Sequence, residues 1–198
     1  MSMLTRQTLP AMEAVSATDW NALVGDDYPF LRHEFLHALE ASGSVGPATG
    51  WVPRHQTLWQ GESLVGVMPL YHKHHSFGEY VFDWAWADAW ERAGGRYYPK
   101  ALTAIPYTPA PGPRLALAPG VDPRAAREVL ADAWEMGRVP SWHLLFSAED
   151  VVAGWHAARP ELLARHGVQF QWRDRGYGDL TGFLAATNSK RRKAIRLE

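Results

Sequence analysis

The hydrophobic positions of this chain change period several times, and each change predicts an element. Residues 64–71 form a continuous apolar run containing β-branched side chains, which is typical of a buried strand. This run and residues 51–59 flank a Gly-containing turn at 60–62, which predicts an antiparallel hairpin. Residues 80–86 then alternate strictly, which predicts a third strand. The aromatic side chains of that segment fall on one face: Tyr80, Phe82, Trp84 and Trp86.

Apolar residues recur at helical spacing on both sides of residues 51–86. This spacing predicts a helix over 17–24 capped by Thr18 or Asp19, and another over about 31–41 that Gly43 ends. Asp122-Pro123 combines a capping side chain with proline at the first helical position, so a helix begins there and runs to Gly137. Ser147 with Asp150 predicts the cap of the next helix. A short helix over 179–187 comes last.

Two further strands are predicted, at 142–146 and 168–172. The section between Pro99 and Pro119 carries six prolines, which exclude a helix and disfavour central strands. Strands and helices alternate without a glycine-rich phosphate loop between them. The pattern therefore predicts an α+β fold in which helices pack on a mixed sheet.

Composition narrows the class of protein. The 198 residues are 46% hydrophobic and 21% charged, as in ordinary globular proteins, and the net charge of −1 provides no field for nucleic acid or an anionic membrane. The chain has no cysteine, which excludes disulfides and thiolate chemistry. No apolar run reaches the length of a membrane span, and residues 1–16 lack a secretory apolar region. These features predict a cytoplasmic protein.

Residues 72–86 concentrate the candidate chemistry. His72, His74 and His75 match no metal-binding spacing, so we expect a polar turn in which one imidazole could act as a base. On a strand, Glu79 and Asp83 would lie about 13 Å apart, which argues against a paired-carboxylate mechanism.

Three alternatives stay open at this stage. Asp83 among aromatic residues is either a site carboxylate or an ordinary hydrogen-bonded core group, because a buried carboxylate needs a partner or a raised pKa. The aromatic row either stacks on a ligand such as a sugar or belongs to the core. The basic segment 189–196 either contacts phosphates or is a solvated helix face.

Several blocks of the sequence resemble a known family. They are Phe-Leu (30–31) with the helix 35–45, Leu-Val-Gly-Val-Met-Pro-Leu-Tyr (64–71), Gly-Glu-Tyr-Val-Phe-Asp-Trp-Ala-Trp (78–86), Tyr-Tyr-Pro-Lys (97–100), Gly-Pro-Arg (112–114), Gln-Phe-Gln-Trp (169–172) and Ser-Lys-Arg-Arg-Lys-Ala-Ile-Arg (189–196). Together they are similar to the bacterial Fem-like proteins, associated with peptidoglycan biosynthesis or recognition, in the GNAT N-acyltransferase superfamily.

This resemblance implies a GNAT-like α+β fold, with a mixed, mostly antiparallel sheet flanked by helices. It also implies transfer of an acyl or aminoacyl group to an amine. It implies an N-terminal domain over 1–176 and the start of a second GNAT-like domain over 177–198, so the chain would be the N-terminal half of a longer protein and its partner the C-terminal domain. The donor would be acyl-CoA or aminoacyl-tRNA, without a tightly bound cofactor. The acceptor would be a small molecule or cell-wall precursor.

GNAT enzymes hold the donor pyrophosphate on a Gln/Arg-x-x-Gly-x-Gly/Ala loop, and we expect this chain to form no such loop. We therefore expect the acceptor-side half of a transferase, or alternatively a non-catalytic binding module for a cell-wall glycan or peptide.

Residue type and position within these blocks suggest the site residues, and the histidine spacing suggests no metal ligands. His75 and Asp83 are the catalytic candidates. The substrate-binding candidates are Lys73, Glu79, Trp84, Trp86, Tyr98 and Lys100. The phosphate-contacting candidates are Lys190, Arg191 and Lys193.

Overall fold

The computed structural model describes residues 3–136, 139–168, 170 and 172–197. Side chains are described for all of these residues except 132–136. The chain divides into two compact units, Met1–Leu163 and Ala164–Glu198. The domain boundary expected at residue 176 stays a prediction.

Within the described residues, eight strands form two four-stranded sheets, with the orders β1-β3-β4-β7 and β2-β5-β6-β8. The strands are β1 (Leu4–Leu9), β2 (Trp51–Pro53), β3 (His55–Gln60), β4 (Ser63–Met68), β5 (Tyr71–Lys73), β6 (Lys100–Thr103), β7 (Ala116–Leu117) and β8 (Trp142–Leu144). Neighbouring strands are antiparallel except β6 and β8, which are parallel. With the helices, this confirms the α+β class.

The predicted hairpin is present but passes through both sheets. β3 and β4 pair around Gly61, as expected. The single predicted sheet is divided because the two segments break at Arg54 and at Pro69-Leu70, where proline has no N–H for a ladder. The Arg54 amide donates to the Leu70 carbonyl at 2.8 Å across this break, and β2 and β5 continue as neighbours in the second sheet.

Seven α-helices lie among the described residues. They are α1 (Ala17–Val24), α2 (His33–Ala41), α3 (Trp84–Arg92), α4 (Pro123–Met136), α5 (Glu149–Ala158), α6 (Leu180–Ala185) and α7 (Ser189–Leu197). The helices predicted near α1, α2, α4 and α6 are confirmed. No helix in this part of the chain combines the length and apolar character needed to cross a membrane.

Two predicted caps are wrong. Helix α1 is capped by Ser16, whose Oγ accepts from the Asp19 amide at 3.4 Å, because the helix already includes Thr18. Helix α5 has Ala148 at its N-cap without a side-chain bond, and Ser147 instead holds its hydroxyl buried with no partner among the described residues.

Three strand predictions are corrected. Residues 80–83 form a loop and Trp84–Arg92 is helix α3, so the predicted strand over 80–86 is wrong. β6 lies inside its sheet although the section is proline-rich, because the prolines flank it on either side. Residues 168, 170 and 172 are not in a strand, and residues 169 and 171 lie outside the described residues.

Three clusters of buried apolar side chains form the core of the first unit. The largest packs α4 and α5 against strands β3 and β4, and the second packs α1 and α2 against β4. The third lies on the second sheet and supports the site described below: Val45, Trp51, Tyr71, Leu102 and Ala104.

In the second unit, an arginine joins its two helices. The Arg192 guanidinium, on α7, donates to the carbonyls of Leu184 and Thr187 at 2.8 Å and of Ala185 at 3.1 Å. These carbonyls lie at the C-terminal end of α6, where backbone acceptors lack helical partners. The basic segment 189–196 is part of helix α7, as its charge pattern suggested.

Candidate functional site

The loop between β5 and α3, residues 74–83, sends polar and aromatic side chains in opposite directions. Ser76, Glu79 and Asp83 are buried. The large side chains between them are exposed: Phe77, Tyr80 and Phe82. The loop therefore has a polar inner side and an aromatic outer side.

The Lys100 ammonium, at the start of β6, holds the inner side. Its Nζ lies 2.6 Å from Asp83 Oδ2, 2.8 Å from Glu79 Oε2 and 2.8 Å from Ser76 Oγ, and its side chain is completely buried. The contact with Glu79 is an ion pair without hydrogen-bond alignment, and Glu79 Oε1 is buried without a donor. One cation thus pairs with two carboxylates on the loop.

Two tyrosines that precede β6 complete the polar cluster. The Tyr97 hydroxyl donates to Asp83 Oδ2 at 2.7 Å, and the Tyr98 hydroxyl bonds Ser76 Oγ at 2.8 Å. The centroids of the two rings lie 5.3 Å and 5.6 Å from the Lys100 nitrogen, within the range of cation–π attraction.

The two carboxylates differ in protonation. Burial acts to raise the pKa of Asp83, but donors led by Lys100 outweigh it and lower that pKa to about 2. Burial raises the pKa of Glu79, and Lys100 opposes this only in part. Asp83 is therefore the firm counterion of Lys100, and Glu79 is the carboxylate that more readily takes up a proton.

A second buried lysine borders this cluster. Lys73 Nζ lies 4.0 Å from the centroid of the Trp51 ring and donates to the Phe77 carbonyl at 3.1 Å. Burial lowers its pKa to about 8, although Glu79 acts to raise it. Lys73 therefore ties the beginning of the loop to the second sheet, and its ammonium is less stable than that of an exposed lysine.

His75 lies beside Lys73, and one of its ring nitrogens already accepts a hydrogen bond. Its Nδ1 accepts from the Phe77 amide at 3.2 Å and lies 3.4 Å from Lys73 Nζ. Burial lowers the pKa of His75, so the ring is neutral near pH 7. Gly50 is required beneath it, because a Cβ there would meet the imidazole. An accepting Nδ1 places the proton of the neutral ring on Nε2.

The other predicted histidines lie outside the cluster. His72, on β5, is half-buried, and burial lowers its pKa. His74 is exposed. No group of three or more His, Asp or Glu side chains in the described part of the chain is arranged to hold a metal ion.

Two aromatic residues on the outer side of the loop have an unfavourable backbone conformation. Tyr80 and Phe82 have φ values of 62° and 51°, in the left-handed region that large side chains rarely occupy. Gly78 also has positive φ, and a Cβ there would lie 2.6 Å from the Tyr107 ring. The strain costs stability, so the inward ion pairs must stabilise this conformation.

We use the term aromatic surface for the exposed rings that follow: Phe77, Tyr80, Phe82, Trp84, Trp86 and Trp90. Between 45% and 66% of each residue is exposed. Helix α3 carries three of them and buries only Ala87, so it presents most of its sides to solvent. Trp84 contacts Phe77 and Phe82 with centroid distances of 6.0 and 5.5 Å. Phe77, Phe82 and Trp84 therefore form a contiguous exposed patch, and such patches mark interaction sites in soluble proteins.

The predicted site residues of the loop come together, but differently from the predicted geometry. Glu79 and Asp83 do not lie about 13 Å apart on a strand face, because the chain turns between them and both reach one ammonium. The distance argument against paired carboxylates is thus wrong, although both groups are buried and held by Lys100. The core interpretation of the aromatic row is wrong as well, since its members are exposed.

The remaining candidates fall in two places. Tyr98 and Lys100 belong to the cluster, and Trp84 and Trp86 to the aromatic surface. Lys190, Arg191 and Lys193 are exposed on α7, in the second unit. The catalytic, substrate and phosphate roles assigned to these residues stay predictions.

Sequence reasoning missed four members of the site: Ser76, Phe77, Trp90 and Tyr97. A signal for Trp90 was present, because Asp83 is a good N-cap residue and the Ala-rich segment that follows it ends at Gly94-Gly95. Tyr97 lies beside Tyr98 in a block already singled out, but nothing in its spacing shows that its hydroxyl meets Asp83.

Replacing Lys100 by Met should lower the free energy of unfolding by about 3–5 kcal/mol, because two buried carboxylates lose their counterion. Urea unfolding measures this. Arg124→Met is the control, since Arg124 pairs with Glu128 on the surface and its loss should cost less than about 1 kcal/mol. Equal effects of the two substitutions would contradict the role assigned to Lys100.

Acid should destabilise the protein partly through Asp83. The unfolded chain protonates this carboxyl near its ordinary pKa of 3.8, whereas the folded protein does so near pH 2. Between these values the unfolded state binds more protons, so stability falls as the pH falls. We expect the stability difference between wild type and Asp83→Asn, measured by urea unfolding, to shrink from pH 5 to pH 2. A difference that stays constant would show that Asp83 is not ion-paired.

Comparison with known proteins gives one match. The family model FemAB-like, described as peptidoglycan biosynthesis/recognition, matches residues 11–198. No curated protein and no solved structure matches the chain significantly. The match covers nearly the whole sequence, including the loop, Lys100 and the aromatic surface. The chain belongs to the FemAB-like family of peptidoglycan biosynthesis and recognition proteins.

Proposed function

We propose that this chain binds a peptidoglycan-type glycan or peptide on its aromatic surface, as the acceptor-side part of an N-acyltransferase. The reaction would join an acyl or aminoacyl group to an amine of the acceptor. The amide bond forms as the donor's thioester or ester bond breaks, and the amine gives up a proton. The single observation that carries the proposal is the exposure of six large aromatic residues on a loop and helix anchored from below by a buried ion cluster.

The surface suits a ligand with flat or apolar faces. Aromatic rings provide large contact areas at little cost in conformational entropy, and they dominate binding where they cluster. Because the chain belongs to a peptidoglycan biosynthesis and recognition family, we choose cell-wall glycans and peptides as the proposed ligands. The buried carboxylates and lysines would then position the rings, without direct contact with the ligand.

The catalytic part of the proposal depends on His75, which is only half-buried. The neutral imidazole could accept the proton of the acceptor amine if Nδ1 exchanged its bond with the Phe77 amide for one with the substrate. Lys73, with a pKa of about 8, lies beside that nitrogen mostly as an ammonium, so the half-buried imidazole would release the proton to solvent.

A second candidate function is recognition without catalysis. Asp83, the other catalytic candidate, is buried, bound to Lys100 and Tyr97, and has a pKa of about 2, which makes it a poor base. If His75 is also only structural, the chain binds the cell-wall fragment and does no chemistry on it.

We expect a soluble disaccharide-peptide fragment of peptidoglycan to bind in a calorimetric titration. Trp84→Ala and Phe82→Ala should each weaken that binding by about tenfold, since removal of a stacked ring costs more than about 1 kcal/mol. Phe170→Ala is the control, because Phe170 is 96% exposed and lies outside the aromatic surface. An affinity that neither substitution changes would place the ligand elsewhere.

The donor provides the test of transfer. The expectation that the chain has no pyrophosphate-loop pattern is wrong, because Arg173-Asp174-Arg175-Gly176-Tyr177-Gly178 has the Gln/Arg-x-x-Gly-x-Gly/Ala spacing. In the structure, however, the amides of Gly176 and Tyr177 already donate to Asp174 Oδ1 at 3.0 and 3.2 Å. We therefore expect the acceptor fragment to bind this chain while acetyl-CoA and free CoA produce no saturable heat. Saturable CoA binding would contradict the acceptor-side assignment. Incubation with acyl-CoA or aminoacyl-tRNA, followed by mass spectrometry of the fragment, separates the two functions. An added acyl mass identifies a transferase, and binding without such a mass supports recognition alone.

A further inference from the structure

A cavity of about 270 Å³ lies within the second unit, lined by three aromatic rings and two carboxylates. The Tyr177 and Phe183 rings are 5.3 Å apart at 79°, and the Trp172 and Phe183 rings are 6.2 Å apart at 75°. Trp172 and Tyr177 are inclined by only 31°. The three rings thus pack against one another, with Phe183 roughly perpendicular to the other two, and all three line the cavity.

The carboxylates of Asp174 and Asp179 are fixed in place by the backbone. Asp174 Oδ1 accepts from the amides of Gly176 at 3.0 Å and Tyr177 at 3.2 Å. Asp179 Oδ1 accepts from the Gly182 amide at 2.8 Å. In each side chain Oδ2 makes no hydrogen bond with any described residue. Two negative charges therefore line the cavity with an oxygen available to a ligand.

The rings are accessible as well. Trp172 is 66% exposed, and Tyr177 and Phe183 are half-buried. Ring faces carry the negative part of the aromatic quadrupole, so three rings beside two carboxylates make a site that attracts a cation. An apolar ligand would gain nothing from the carboxylates, and an anion would be repelled by them.

We infer that this cavity binds a quaternary ammonium group. A primary ammonium is strongly hydrated and requires three acceptors, whereas a trimethylammonium group has no N–H to satisfy and presents methyl groups to the rings. The cavity is smaller than the roughly 300–1,000 Å³ of sites for drug-sized ligands, which suits a headgroup of this size. This inference does not depend on the proposed peptidoglycan function.

Choline and 3,3-dimethylbutan-1-ol form a matched pair of probes, because they have nearly the same shape and differ in the positive charge. Each is titrated into ¹⁵N-labelled protein while the indole N–H signal of Trp172 is followed. The Trp172→Phe variant assigns that signal by its disappearance and keeps an aromatic ring in the cavity. We expect choline to shift the signal saturably in the millimolar range, and the neutral alcohol to bind at least about tenfold more weakly.

Asp174→Asn and Asp179→Asn test whether the two negative charges are needed for choline binding. Both substitutions keep the turns in which these side chains accept backbone amides. Asparagine keeps an oxygen that can accept the same backbone bonds, and it is also a good N-cap residue. Each substitution should weaken choline binding by about three- to tenfold and leave binding of the alcohol unchanged. Asp122→Asn is the control, since Asp122 likewise accepts a backbone amide bond, from Arg124, but lies in the first unit.

Phe183→Leu tests the rings, because leucine keeps an apolar side chain and removes the quadrupole. It should also weaken choline binding while the spectrum of the rest of the protein stays unchanged. Equal binding of choline and the alcohol would show an ordinary apolar cavity and overturn the inference. It would equally be overturned by the absence of a saturable shift at Trp172, or by Asn variants that bind choline as wild type does.

Discussion

The ion cluster at Lys100 is the interaction on which the candidate site depends. A lysine alone in the interior would pay a large desolvation cost, and two buried carboxylates alone would repel each other. Together they bring the loop back onto the sheet at two points four residues apart. Between those points Tyr80 and Phe82 adopt left-handed backbone conformations that their side chains alone would disfavour. The buried charges thus select the conformation that exposes the aromatic rings.

This arrangement also explains which parts of the site the sequence could predict. Alternation of inward carboxylates and outward aromatics was visible along residues 79–84, and it correctly separated two kinds of side chain. The same alternation fits a strand, and aromatic and β-branched residues favour strands, so the pattern alone gave the wrong element. What decided the outcome was a contact with Lys100, 17 residues beyond Asp83, and no local pattern reports such a pairing.

Helices and strands whose limits are set by neighbouring residues in the sequence were predicted better. Helix α4 begins at Asp122-Pro123, where a capping side chain and a proline act within two residues, and the β3–β4 hairpin turns at Gly61. By contrast, β6 is a central strand within a proline-rich section, because its position is set by its neighbours β5 and β8. The division into two sheets was equally invisible, since it arises where Arg54 and Leu70 pair across a break in two strands.

The charges of the cluster nearly cancel, and this shapes how the surface can recognise a ligand. Lys73 and Lys100 stand against Glu79 and Asp83, and burial brings the pKa values of Lys73 and Glu79 closer together, since it lowers the first and raises the second. A proton passing from Lys73 to Glu79 would leave the net charge of the cluster unchanged. The cluster therefore has no net charge in either state. Recognition of the proposed ligand would then depend on ring contact and shape, with the buried charges keeping the rings in position.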